Sequence, residues 1–394
     1  MRTPIHILMA AAVLLVALSC KKTLDPSTDN GGGQGTGGNP GGSDIPTYTS
    51  TIFKQNSEGY PIFRIPAIVT TSKGTLLCFC EGRATYDDFG DIDMVVKRSE
   101  DQGKTWQPLI KIADAENDRF GNPVPVVLED GRILLVFGWS KHESSMSTKV
   151  FTTFSSDDGK TWSTPVEITS QVKISTRSVY QTGPVHGIVK QRDPHKGRII
   201  VPIYGTTTNN LRSAAIYSDD NGQTWTHGGG MDYKLGGEPT IAERGDGSLI
   251  MNVRDNDDDP LRHQSVSNDG GESWGPHTTT NLIEPKGCQG ALLTYDLGTS
   301  ASNSVILFSN PSNTESRRHG SIKLSKNGGT SFNLMWMYTM KETSGMYSSY
   351  SDLCIVSGDV IGVAFESGYK NNTGIQFKSV HFSDIKEPYT GTNL

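Results

Sequence analysis

One pattern constrains this chain more than any other. SEDQGKTW occupies Ser99–Trp106, SSDDGKTW Ser155–Trp162, SDDNGQTW Ser218–Trp225 and SNDGGESW Ser267–Trp274, and a fifth copy, SKNGGTSF, runs from Ser325 to Phe332. All share S-x-[DN]-x-G-x-[TS]-[WF]. The Asp or Asn hydrogen-bonds its own backbone, Gly takes the positive-φ position, and the aromatic packs under the turn. Each copy follows an alternating strand, such as DIDMVVKRS before the first and SAAIYS before the third, so the unit is a hairpin. A copy carries too few carboxylates to cage calcium. These turns are therefore structural.

Their spacing sets the architecture. The copies start at 99, 155, 218, 267 and 325, and the 350 residues from 45 to 394 hold about six such periods. Helix signals are nearly absent. Regular hairpin repeats without helices predict an all-β, six-bladed β-propeller over residues 45–394. The strand near Thr47–Phe53 is expected to close the ring by pairing with one near Ile375–Phe382. The strands nearest the axis then end at a common mouth, where a site belongs.

The N-terminus reads differently. Arg2, the apolar run ILMAAAVLLVAL and Ser19–Cys20 form a segment too short to span a bilayer. It resembles a bacterial lipoprotein signal, with residues 1–19 removed and Cys20 lipidated. Residues 20–44 are Gly-rich and lack apolar anchors, which predicts a flexible tether. The expected location is outside the cytoplasm, in the periplasm or at the outer membrane or cell surface, with a lipid anchor as the membrane attachment and the chain a monomer. Cys78, Cys80, Cys288 and Cys354 have no metal-type spacing and read as core fillers. A net charge of −6 argues against nucleic acid, so any anion must be held by a few aimed side chains.

YPIFRIPAIV, Tyr60–Val69, shows where one such side chain lies. It is a buried-strand sequence with Arg64 inside it, and a charge there is costly unless an anion meets it. Arg254 ends the strand SLIMNVR, and Arg317 follows SVILFS in FSNPSNTESRRHGSIKLS. The three lie in different repeats, so a propeller can aim all of them at its axis. Convergent guanidiniums suit a carboxylate, held by bidentate charge-assisted bonds. RDNDDDP, which begins at Arg254, reads as a solvated acidic loop, and no P-loop or HExxH is present.

FRIP, followed by GEP, NVR and YSDL in that order and by the repeated turns, resembles the bacterial exo-α-sialidases (neuraminidases) of glycoside hydrolase family 33, with their Asp-box (BNR) repeats. The resemblance covers residues 50–390. It implies hydrolysis of terminal α-linked sialic acid from glycoproteins, glycolipids and oligosaccharides, with retention and without metal or cofactor. It implies that Arg64, Arg254 and Arg317 grip the substrate carboxylate, with Arg318 competing with Arg317, and that Tyr350 is the nucleophile, with Tyr347 nearby. Glu238 would be its base. The acid/base falls on Asp88, with Asp87 and Asp91 open, and Arg83 would touch the sugar rim or order the acid loop. A Tyr makes physical sense, because the anomeric carbon already bears a carboxylate that would repel an anionic nucleophile. Two other outcomes share these motifs: a sialic-acid-binding propeller without catalysis, and a trans-sialidase, intramolecular or not.

Overall fold

The five turns fold alike in the computed structural model, which describes residues 45–142, 148–173, 179–207, 210–256, 259–298, 303–339, 347–368 and 374–393. In the first, Ser99 Oγ donates to Asp101 at 2.8 Å, Thr105 donates to Asp101 through N (2.9 Å) and Oγ1 (2.6 Å), and Gly103 N donates to Ser99 Oγ at 2.9 Å. The net recurs around Asp157, Asp220 and Asp269, and around Asn327 in the fifth copy. Burial acts to raise the pKa of Asp157, but hydrogen bonds from Thr161 and Ser155 outweigh it and hold the pKa at about 2. The expected signal segment 1–19, the expected lipidation site Cys20 and the expected tether to residue 44 lie outside the described residues.

The chain between turns is strand, and helix among the described residues is confined to short segments such as Thr169–Val172 and Phe382–Asp384. The expectation of six separate four-stranded blades is corrected by the hydrogen bonding. Among the described residues there are five sheets, not six: two of four strands, two of five and one of eight. The large sheet arises where Ile92 pairs in parallel with Arg119. That bridge joins the strands Ile62–Thr70, Leu76–Arg83, Ile92–Ser99 and Ile110–Ala113 to Arg119–Val127, Ile133–Ser140, Thr148–Ser155 and Val166–Glu167. Turn spacing counts hairpins and is blind to a lone bridge between neighbours. Closure follows expectation, with Thr49–Lys54 pairing antiparallel to Gly374–His381.

Apolar side chains fill the space between adjacent sheets. Val124, Val126, Leu134 and Val136 pack with Val201, Ile203 and Ile216 in one such layer. Cys78 and Cys80 sit together in another, and all four described cysteines are buried with free thiols. Nearer the axis, Ile62–Thr70 packs against both Arg119–Val127 and Ser348–Ser357. Asp352 of YSDL, 0% exposed, ties three segments together. It accepts from Ile68 N (2.9 Å) and His186 N (3.0 Å), and pairs with His186 Nδ1 at 2.7 Å. A buried carboxylate with this many donors is satisfied in place.

Candidate active site

The mouth is shaped by a local rule visible in three strands. Register shifts occur between Arg64 and Ala67, Gly121 and Val124, and Gly237 and Thr240. In each, a residue at positive φ precedes a proline: Ile65 (61°), Asn122 (57°) and Glu238 (35°). Proline has no N–H to give the ladder, so pairing breaks there and the strand bulges. The bulge aims Arg64, Asn122 and Glu238 into the mouth. A β-branched residue at positive φ is strained. Ile65 is held so by Glu366, which accepts its N–H at 2.9 Å and also takes Arg64 Nε at 3.2 Å.

Arg64, Arg83, Asp88, Glu238, Arg254, Arg317 and Tyr350 all line one cavity of about 290 Å³. The phenol of Tyr350 is its centre. The guanidinium carbons of Arg64 and Arg317 each lie 5.5 Å from its ring centroid. Arg254 Nη1 donates to its hydroxyl at 2.8 Å, and that hydroxyl donates to Glu238 Oε1 at 2.6 Å. Arg254 also pairs with the other oxygen of Glu238. Burial, then the Glu238 charge, pushes the Tyr350 pKa well above 10.0, against the pull of the three guanidiniums. Arg318 does not line this cavity. It bridges to Tyr347, whose hydroxyl accepts from Arg317 at 3.3 Å.

Asp88 Oδ1 accepts from Arg83 Nη1 at 2.8 Å and Arg64 Nη1 at 3.3 Å. Its side chain is 61% exposed. Partial burial acts to raise its pKa, but Arg83 and Arg64 outweigh that and hold it below the ordinary value. Arg83 is 1% exposed and forks onto buried Glu81. Asp87 instead turns back to accept from Phe89 N at 2.9 Å. The pKa of Asp91 is raised by burial and by Asp93 and Asp114; neither Asp87 nor Asp91 lines the cavity.

Several lining groups escape sequence reasoning. Arg119, Asn122 and Tyr204 face the cavity, with Asn122 Nδ2 donating to Tyr204 Oη at 3.3 Å. Glu81 accepts from Asn122 N at 2.9 Å, and so links the Arg83 end to the second bulge. GNP at Gly121–Pro123 parallels RIP and GEP, and that parallel was the available signal for Asn122. Gly287 matters through its backbone. Its carbonyl accepts from Arg317 Nη2 at 2.8 Å, and a Cβ there would lie 2.6 Å from Arg254 Nη2.

Comparison with known proteins identifies relatives of the chain. The model of the BNR repeat-like domain family matches residues 74–363. The chain is 32% identical to a sialidase of Clostridium perfringens over 276 residues, which cover 64% of this chain and 71% of that protein. It is 29% identical to a sialidase of Bacteroides fragilis (strain YCH46) over 353 residues, 82% of this chain but only 62% of the relative's length. The solved structure of Hadza microbial sialidase Hz136 superposes with a TM-score of 0.77 at 26% identity, covering 86% of this chain and 69% of that one. With the family's repeats spread over most of the chain and the arginines, tyrosine and glutamate gathered at one mouth, this chain belongs to the BNR-repeat sialidases.

Proposed function

We propose that the protein is an exo-α-sialidase that removes terminal α-linked sialic acid from glycans with retention. The observation that carries this is the grouping of three guanidiniums around a buried phenol that donates to a carboxylate. The arginines orient the substrate carboxylate and favour the flattened, oxocarbenium-like transition state. Glu238 takes the proton of Tyr350 as the phenol attacks the anomeric carbon, forming the glycosyl-enzyme. Asp88 gives a proton to the leaving oxygen, then takes one from the water that releases the sugar. Asp88 enters this cycle as a carboxylate held by Arg83 and Arg64. A substrate carboxylate arriving at Arg64 weakens that hold, so binding itself raises the Asp88 pKa toward its role as acid. Arg83 orders the acid loop.

Release of the chromophore from an aryl sialoside, with the anomeric form of the first product read by NMR, tests this. Retained free sialic acid is the expected result. A 2,7-anhydro or transferred product assigns the chain to a trans-sialidase, and binding without release assigns it to a lectin-like role. We also propose the division into signal 1–19, tether 20–44 and catalytic propeller 45–394, with Cys20 lipidated and the enzyme a monomer held outside the cytoplasm. Loss of acyl labelling in Cys20→Ala checks the anchor.

A further inference from the structure

A second cluster lies at the end of the strand Leu249–Asp255 and the start of Leu261–Ser267. His263 Nε2 is 3.8 Å from Asp255 Oδ2 and 3.6 Å from Asp259 Oδ2, and the three ligand atoms all fall within 4.8 Å of one another. His263 is only 6% exposed, yet neither ring nitrogen has a hydrogen-bond partner. Its ring is fixed by stacking on Tyr233, with centroids 4.0 Å apart. Asp259 is pinned as well, because its other oxygen accepts from Leu261 N at 2.9 Å.

The spacing is wrong for a hydrogen-bonded ion pair, which would close to about 2.7–2.9 Å. It fits ligands around a cation. Bonds of about 2.0–2.2 Å at a tetrahedral angle set ligand atoms about 3.4 Å apart. The acidic loop alone offered only oxygen ligands suited to calcium. Folding adds an imidazole from the next strand, and that changes the ion it suits.

The geometry points to a divalent transition-metal site, of Zn²⁺ type, formed by Asp255, Asp259 and His263 beside the sugar cavity. Water completes the coordination. The full chain, stripped with chelator, is titrated calorimetrically with Zn²⁺ and separately with Ca²⁺, and Co²⁺ is added to read the ligand field in visible absorption. One Zn²⁺ per chain is expected, bound far more tightly than Ca²⁺, with Co²⁺ giving a four-coordinate spectrum. D259N and H263Q should each weaken Zn²⁺ binding by more than about 100-fold, beyond the loss seen when only a ligand's hydrogen-bonding support is removed. Asp259 is exposed, so D259N keeps the test valid if H263Q does not fold. Failure of stoichiometric binding, Ca²⁺ held as tightly as Zn²⁺, or D259N binding like the wild type overturns the assignment.

Discussion

Glu238→Gln isolates the proton transfer on which the proposed chemistry turns. The Tyr350 hydroxyl sits 2.6 Å from Glu238 Oε1, and its pKa lies well above 10.0. At pH 7 fewer than about one phenol in 10³ is ionised, so attack needs a base at that oxygen. Gln keeps the shape and one hydrogen bond but cannot take the proton. A positioned base contributes about 10²–10⁴ in rate, or roughly 2.7–5.4 kcal/mol of barrier. The expected result with an aryl sialoside is a fall in kcat of that size. KM should hold or drop, because Arg254 loses its Glu238 counter-charge and grips the substrate carboxylate harder. Removing the Glu238 charge also leaves the three guanidiniums free to lower the phenol pKa. The residual activity of the variant should therefore rise with pH as the phenol ionises by itself. A kcat within tenfold of wild type, with an unchanged pH profile, refutes Glu238 as the base.

Asp88→Ala should cost far more with alkyl leaving groups than with activated aryl ones, as measured by kcat/KM across a leaving-group series; equal losses would move the acid to another residue. Gly287→Ala places a methyl against Arg254, and displacing one charge-assisted contact should lower kcat/KM by about 10–150-fold; a thermal melt separates this from backbone strain at φ 68°. Asp352→Asn puts an amide against backbone donors, and breaking this buried pair should cost about 3–5 kcal/mol, or some 4–7 °C in Tm for a domain of about 350 residues. The pH dependence has a definite sign. Burial lowers the His186 pKa but Asp352 more than offsets it, so the folded value lies above 6.5. The pair's contribution is full below that pH and is lost as pH rises through the folded value. Denaturant melts should show this trend in the wild type and a flatter one in D352N.

What could be read from the sequence was whatever lay in short local strings. The turn octapeptides encode their own hydrogen bonds, and Arg64, Arg254, Glu238 and Tyr350 each stand inside a recognisable motif. Relations across sheets were hidden. Glu366 is far along the chain from Arg64, and nothing in its strand marks it as the group that holds both that guanidinium and the strained Ile65. Glu81 and Arg119 likewise read as ordinary charges until the first two repeats are brought together. The single Ile92–Arg119 bridge that makes those repeats one sheet leaves no periodic trace. His263 is hidden more simply: the hairpin that pairs Val253 with His263 sets its ring against Asp255, with Asp259 only four residues before it, and an alternating strand residue carries no mark of that contact.

The central claim is that Tyr350 becomes covalently bonded to the sugar. A sialosyl fluoride carrying a second fluorine beside the anomeric carbon slows both formation and hydrolysis of the intermediate, while the fluoride leaving group keeps the first step accessible. Intact mass followed by peptide mapping should show one sialosyl adduct, on the Tyr350 phenol, absent from Tyr350→Phe. Turnover of the aryl sialoside with no adduct at Tyr350, or with the adduct on Asp88 or Glu238, would contradict the account.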